Sequence, residues 1–423
     1  MDGGVGTRAV TGAADRVGRL WVLALTLGVV AVFASWFGPL QILLPAQTDR
    51  IAGPGGREAL LGLVVGVGAA VSMVANPLWG LVSDRSRARL GSRLPVVFAG
   101  TAIGVAGQVV LLTADTGGGA LTGWSLVQLG YNGPFAVLAA LIADHVPERQ
   151  RGLVGSLFGV GQIVGVIGGT VVAESVSGGP TGYLMLAVLT PCLLSAIVLV
   201  PPTSAVSRDR NEPGGGAGGG EIPAPAAARV RLAEFRPTRT FVWAWLLRFL
   251  MNLTNAILLI YLFFFLDEVV GADDPAGSVL LVTVITLLVS AVCAAIAGIV
   301  SDRLRRRRGF AVAGALATAC GLIALALSPS VPAVLAAAAV SGLGWGLFIA
   351  VDMAIITGSL ATSGTAGTLL GVANVASSLP QVVAPVIAVP LVTSAAGYPA
   401  LYGVGAGIAV AAALCTLPLR SVR

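Results

Sequence analysis

Two opposite charges, Arg248 and Asp352, lie inside long apolar segments of a chain in which only 10% of the residues are charged. Burying an ionisable group at membrane depth costs about 3 kcal/mol or more, so such residues are commonly functional. Counted from the nearer end of each segment at about 1.5 Å per helical residue, both lie roughly 10–13 Å deep. The two side chains therefore suit a proton-linked or substrate-linked ion pair. The alternatives are a static pair that joins two helices and an arginine whose side chain reaches the surface.

A second group of charges follows a repeated motif. The pattern Gly-x-x-Ser-Asp-Arg occurs at residues 80–85 and again at 298–303, so its aspartates, Asp84 and Asp302, are 218 positions apart. This separation is about half of the 423-residue chain. Each copy ends an apolar segment and begins a group of arginines. Two related membrane halves in tandem are the architecture of many secondary transporters.

Composition excludes a soluble globular class. The chain is 56% hydrophobic with a mean hydropathy of +0.93, and apolar runs of about 20 residues, long enough to cross a bilayer, recur along it. We predict an all-α membrane protein with about twelve transmembrane helices in two pseudo-symmetric six-helix bundles. The first six are expected near 20–45, 58–82, 94–113, 121–143, 152–174 and 182–201, and the second six near 240–266, 277–300, 309–328, 332–357, 367–393 and 398–418.

The two bundles are expected to form separate domains, residues 1–201 and 240–423, joined by a cytoplasmic linker at 202–239. Residues 214–220 of this linker are glycine apart from Ala217, and Pro223 and Pro225 follow. Such a composition is typical of flexible linkers and not of packed domains.

Arginine placement predicts the orientation. If both termini and the linker are cytoplasmic, 22 of the 25 arginines lie inside, Arg50 and Arg57 lie outside, and Arg248 lies in a helix. The opposite orientation would violate the positive-inside rule almost everywhere. Because the net charge of +6 follows from topology, it gives no support for nucleic-acid binding. All basic residues are arginine, which is typical of high-GC bacterial genomes, and we expect a multi-pass protein of the bacterial cytoplasmic membrane.

Residues for metal, redox or catalytic chemistry are scarce. The chain has four cysteines, each alone in an apolar segment, and a single histidine, His145. These residues form no metal-ligand spacing and no nucleophile–base set. We therefore expect no enzyme activity, no cofactor and no metal. The expected partners of a monomeric protein are a small-molecule substrate, a coupling proton and the lipid bilayer.

Three stretches carry family-specific patterns. Residues 83–95 read Ser-Asp-Arg-Ser-Arg-Ala-Arg-Leu-Gly-Ser-Arg-Leu-Pro, residues 144–152 begin Asp-His-Val-Pro-Glu, and Leu-Gly-Val-Ala-Asn at 370–374 precedes Leu-Pro-Gln at 379–381. They resemble the glycoside–pentoside–hexuronide and sucrose-transporter-like symporters of the major facilitator superfamily, with a departure at Ser92, where an arginine is usual. That superfamily carries a G-x-x-x-D-R-type motif between helices two and three and a weaker copy between eight and nine. The resemblance implies two six-helix halves, with helices one, four, seven and ten around a central cavity.

By this resemblance the repeated motif is a gate element, whose contacts form in one conformation and break in the other. Asp144, with Arg149 or Arg151, is the expected partner network on the same face. The predicted gating residues are Gly80, Asp84, Arg85, Arg89, Gly91, Arg93, Asp144, Arg151, Gly298, Asp302 and Arg303. The alternative, charges that only set topology, suits the arginines at 305–308 better than the Asp-Arg pairs.

Uncharged polar and aromatic residues on the cavity helices predict the substrate site. They are Gln41, Gln128, Tyr131, Asn132, Asn252, Asn255 and Trp345. Such side chains suit a neutral polar solute, which they would bind through hydrogen bonds and ring contacts. Interhelical hydrogen bonding and interfacial anchoring are the alternatives.

These features together predict a secondary active transporter that works by alternating access, with the proton as coupling ion and a sugar or similar polar solute as the favoured substrate. Efflux of drug-like or secreted metabolites is the alternative, and an integral-membrane enzyme is a distant one. The first two predicted helices contain no acid beyond Glu58 at the outer edge, so a sodium site of the melibiose-symporter type is not expected.

Overall fold

The chain forms the membrane-crossing helices that its hydropathy predicts, twelve in the part that the structure describes. The computed structural model describes residues 17–201, 238–304, 306–359 and 366–419, and the side chains of Asp302 and of 366–371 fall outside the description. These residues contain no strand, and the predicted all-α fold is confirmed. The predicted linker, apart from Thr238 and Arg239, lies outside the described residues.

The helices fall into two sets of six. In the first half they are α1 (Arg19–Ala52), α2 (Arg57–Leu90), α3 (Leu94–Thr113), α4 (Gly117–His145), α5 (Glu148–Glu174) and α6 (Thr181–Leu199). In the second half they are α7 (Arg239–Ile260), α8 (Pro275–Leu304), α9 (Arg307–Ala326), α10 (Val331–Ser359), α11 (Ala366–Val392) and α12 (Gly397–Cys415). A short helix, Leu262–Glu268, directly follows α7. Helix α1 is π-helical over Pro39–Leu43, a departure that is frequent at functional sites.

Helix α2 is longer than the sequence predicts, and the difference moves a motif. The predicted span ends at residue 82 and leaves the Asp84 motif in a loop, whereas α2 continues to Leu90. The helix ends at Gly91, which takes the left-handed conformation that commonly terminates a helix. Its φ is +69°, and its amide donates to the Arg87 carbonyl. Asp84, Arg85, Arg87 and Arg89 therefore project from a helix.

Small residues bring helices close together at equivalent places in the two halves. In the first half, α3 meets α4 at Gly104 and Gly130, and in the second half, α9 meets α10 at Gly314 and Gly344. A Cβ added at Gly344 would lie 2.7 Å from the Gly314 carbonyl oxygen. Backbones approach this closely only where side chains are minimal. The equivalence supports the internal repeat.

Each half packs against the other mainly through two helix pairs, α2 with α11 and α5 with α8, and the π-helical part of α1 adds smaller contacts with α7 and α8. Both halves begin and end at the same side of the bundle, where α6 ends and α7 begins; we call this the linker side and the other the opposite side. Hydrogen bonds between the halves in the described ranges lie toward the opposite side: Arg57 to Asp267 and Glu268, Tyr261 and Tyr398 to Glu58, and Thr283 to Gln41.

Candidate substrate pathway and gates

The two buried charges meet within the second half. Arg248 of α7 and Asp352 of α10 form an ion pair, with 3.5 Å between Nε and Oδ2. Their side chains are 11% and 14% exposed, so water solvates both poorly. The Arg248 Nε also donates to the Ser377 hydroxyl of α11 at 2.9 Å. One guanidinium thus contacts both α10 and α11, and a change in the charge of Asp352 would alter how α7, α10 and α11 are held together.

The motif at the end of α2 is organised around Arg93. Its Nη1 donates to Asp84 Oδ1 at 2.7 Å and to the Ser83 hydroxyl at 2.8 Å, while its Nε donates to Asp144 Oδ2 at 2.9 Å. Arg87 completes the network with a second bond to Asp144. Burial lowers the pKa of Arg93, but its hydrogen bonds to Asp144 and Asp84 outweigh this effect and raise the pKa, so the guanidinium stays charged. The turn at Gly91 allows the chain to reverse and return Arg93 to α2.

The partners of Asp144 differ from those expected. The sequence favours Arg149 or Arg151, but Arg151 donates to the Val146 carbonyl at 3.2 Å and lies 3.9 Å from Glu148. Arg87 and Arg93 take the place beside Asp144 because α2 extends two turns farther than predicted.

The other residues predicted to form the gate are more exposed. The Asp84 side chain is 68% exposed although it contacts Arg93. Arg85, Arg89 and Arg303 are exposed. A Cβ added at Gly80 or Gly298 would meet nothing within 4 Å. The Asp302 side chain lies outside the described residues.

Glycines on α2 distinguish the two sides of the bundle. At the opposite side, a Cβ on Gly62 would lie 2.7 Å from both the Tyr261 hydroxyl and a Val389 methyl of the second half. At the linker side, the space beside Gly80 is open. Helix α2 is therefore in close contact with the second half at Gly62 and not at Gly80.

This asymmetry predicts opposite results for two matched substitutions. Gly62→Ala is expected to destabilise the arrangement described here by about 1 kcal/mol, because Tyr261 or Val389 must move. Gly80→Ala is expected to leave it unchanged. Electron-spin distance measurements between labels on α2 and α11 at the opposite side would show a longer-distance population only for Gly62→Ala. Equal distributions in the two variants would contradict the packing argument.

Several predicted cavity residues are already bonded to protein groups. Tyr131 is fully buried and donates to Gln108 of α3 at 3.0 Å. The Asn132 amide donates to Ser72 and to the Gln128 carbonyl. The Gln41 side-chain oxygen accepts bonds from Thr170 and Thr283.

The other four predicted cavity residues are half-buried. The Asn252 amide donates to the Arg248 carbonyl at 2.8 Å within its own helix. Gln128 and Asn255 are half-buried. The ring of Trp345 packs against that of Phe348, with 5.5 Å between centroids.

A charged cluster at the opposite side does not follow from the sequence reasoning. The Arg57 side chain, 5% exposed, bonds to Asp49 at 2.8 Å, to Glu58 at 3.2 Å, to Asp267 at 3.4 Å and to Glu268. Its guanidinium carbon lies 4.6 Å from the centre of the Phe264 ring. We call these four acids and Arg57 the Arg57 cluster. Because Asp267 and Glu268 belong to the second half, it joins the halves. The available signal in the sequence is Arg57 itself, one of the two arginines that the positive-inside count places on the outer side.

The first half also contains an aromatic cluster that the sequence analysis does not predict. Phe33, Trp36 and Phe37 share one face of α1, and Phe135 of α4 and Phe158 of α5 lie beside them. The centroids of Phe33, Trp36 and Phe135 are 5.5–5.7 Å apart in edge-to-face geometry. The Trp36 indole nitrogen is buried and has no hydrogen-bond acceptor among the described groups. The i, i+3, i+4 spacing on α1 was the available signal.

Comparison with known proteins gives the family. A model described as the Major Facilitator Superfamily matches residues 54–284 and 274–423. The inner membrane transport protein YajR of Escherichia coli (strain K12) is 26% identical over 185 residues, which are 43% of this chain and 39% of that protein. The aligned part therefore spans less than half of that relative's length.

Solved structures share the fold at low identity. A mutant of the nucleoside transporter NupG matches with a TM-score of 0.72 and 11% identity, over 95% of this chain and 100% of that one. A bacterial homolog of the human lysosomal transporter Spinster, inward-facing and unoccupied, matches with a TM-score of 0.70 and 16% identity over 94% of each chain. The human organic anion transporter MFSD10 matches with a TM-score of 0.62 and 14% identity, over 94% and 99%. The superfamily model matches most of the sequence, so this multi-pass membrane protein belongs to the Major Facilitator Superfamily.

Proposed function

We propose that the protein is a proton-coupled secondary transporter that moves a small organic solute across the bacterial cytoplasmic membrane by alternating access. The observation that carries the proposal is the ion pair between Arg248 and Asp352, buried at membrane depth. Charged Asp352 attracts Arg248 and holds α10 to α7. A proton on Asp352 removes that attraction while Arg248 keeps its bond to Ser377. Proton binding would thus release α10 and couple protonation to helix movement.

The linker side is cytoplasmic in this proposal, because the arginines concentrate there. The arrangement is then inward-facing. The Arg57 cluster and the contact at Gly62 close the outer side, while at the other end of α2 a Cβ added at Gly80 would meet no atom within 4 Å. A cysteine introduced at Gly216, in the linker outside the described residues, is expected to react with membrane-impermeant reagents only from the inside. Labelling of this cysteine from the outside of intact cells would show that the linker is extracellular and would contradict the proposed orientation.

The cytoplasmic gate is formed by the Asp84 motif. In the inward-facing state Arg93 and Arg87 hold Asp84 and Asp144 within the first half. The exposed Asp84 carboxylate is then available to an approaching helix end of the second half. An N-terminal helix end attracts a carboxylate by about 0.3–1 kcal/mol, which is enough to bias two states of similar energy.

A transport assay in proteoliposomes tests the proposal. An imposed pH gradient is expected to drive accumulation of the substrate, and dissipation of the gradient by a protonophore should abolish it. The direction of the gradient that supports accumulation distinguishes uptake from the second candidate, efflux of a drug-like or secreted compound, which the aromatic cluster favours. Accumulation that requires a sodium gradient and ignores pH would refute proton coupling.

A further inference from the structure

The groups that a sugar would need are largely occupied inside the protein. Of the seven predicted cavity residues, Gln41, Tyr131, Asn132 and Asn252 already hydrogen-bond to protein atoms. A sugar presents many hydroxyl groups, and each one that is buried without a partner costs binding energy. A site that selects such a solute supplies matching donors and acceptors. The described side chains of the first half supply few.

Aromatic rings, in contrast, lie partly uncovered inside the first half, and one of them is at a depth similar to that of Arg248. Phe135 lies ten residues before the end of α4, and Arg248 lies nine residues after the start of α7. At about 1.5 Å per residue both are roughly 14–15 Å from the linker side. Phe33, Trp36 and Phe135 are half-buried, so parts of their rings remain uncovered by protein. Aromatic ligands pack well on rings at such offset and edge-to-face angles.

The Trp36 indole adds a hydrogen-bonding requirement. Its N–H group is buried without an acceptor, and an unsatisfied buried donor is unfavourable until a partner arrives. A ligand that displaces the side chains packed around Trp36 and brings an acceptor to this N–H would satisfy it. The ring faces would attract a cation, but a cation that carries no acceptor leaves the indole N–H unsatisfied.

We propose that the aromatic cluster of Phe33, Trp36, Phe37, Phe135 and Phe158 binds a planar aromatic or heteroaromatic group that carries a hydrogen-bond acceptor, and that Trp36 donates to this acceptor. This inference rests on the proposed transport function, since it names the substrate class of the same pathway. It disfavours the simple sugar that the loop resemblance suggests.

Equilibrium binding to the full-length protein in lipid nanodiscs tests the inference. Saturation-transfer NMR would compare benzamide with cyclohexanecarboxamide and uracil with dihydrouracil, with sucrose as the sugar. The aromatic members are expected to bind, and their ring-saturated counterparts and sucrose to bind at least about tenfold more weakly, because they lose the ring contacts. Equal binding of the saturated members, preferred binding of sucrose, or no binding of either aromatic probe would overturn it.

Substitutions locate the site. Trp36→Phe keeps a ring but removes the donor and should weaken aromatic binding about fivefold, whereas Phe135→Leu should weaken it further. Trp124→Phe is the matched control, because the Trp124 indole nitrogen on α4 is also buried without an acceptor but lies outside the cluster. An unchanged affinity in Trp36→Phe would overturn the assigned role. Binding needs no gradient, so failure of proton coupling appears separately, as bound ligand without pH-driven accumulation.

Discussion

Asp352→Asn is expected to abolish solute accumulation driven by a pH gradient and to leave exchange of substrate across the membrane intact. The amide cannot take up or release a proton, so no gradient energy reaches the transport cycle. Exchange requires the loaded carrier to reorient without net proton release and should therefore continue. The measurement is uptake of labelled substrate into proteoliposomes, with and without a pH gradient. Asp115→Asn is the matched control, since Asp115 is an exposed acid outside the helices.

A double substitution separates a proton carrier from a structural ion pair. Arg248→Gln alone leaves Asp352 without its cationic partner in a site where it is 14% exposed, which is expected to cost about 3 kcal/mol. If the pair is only structural, Arg248→Gln with Asp352→Asn should recover both folding and pH-driven accumulation. If Asp352 carries the proton, the double variant should recover folding and remain uncoupled. Recovered accumulation would exclude Asp352 as the proton carrier.

The sequence is a good guide to features that follow from hydropathy and from counting along one helix. The twelve spans follow from apolar runs that few charges interrupt. Similar depth makes Arg248 and Asp352 candidate partners, because two isolated opposite charges in an apolar medium have few other ways to be compensated, and it is the structure that places them 3.5 Å apart. The prediction of the spans needs no knowledge of which helix face points where, whereas contact between the two charges depends on it.

Facing direction is the part that the sequence does not give. The helices are apolar on every face, so periodicity does not show which side of α4 faces a cavity. Tyr131 and Asn132 are adjacent on α4, yet one bonds to Gln108 of α3 and the other to Ser72 of α2. Long-range pairing is equally hidden: Arg57 and Glu268 are 211 positions apart, and only the closed fold brings them together. The length of α2 depends on Gly91, a single residue of helix-ending geometry.

Arg57→Gln is expected to shift the protein toward a state that is open at the opposite side. Arg57 compensates four carboxylates, and two of them belong to the second half. Without the guanidinium, these acids repel one another and attract nothing across the interface. Asp49 of α1 and the two acids of the second half are partly exposed, so water screens the repulsion between them. We therefore expect the free-energy difference between the two states to change by about 2 kcal/mol, which is roughly a thirtyfold change in their ratio.

Spin labels at Asp115 and Asp273, exposed residues of the two halves at the opposite side, would measure this shift as a longer distance in a background that lacks the free cysteines. Arg50→Gln is the matched control. Arg50 is the other arginine on that side, and its described hydrogen bond, to the Gly178 carbonyl at 3.3 Å, stays within the first half. Loss of either arginine removes one positive charge, so only a difference between the variants assigns the shift to the interface. The same distance distribution in Arg57→Gln, Arg50→Gln and the unsubstituted protein would show that the contacts around Gly62 alone close this side.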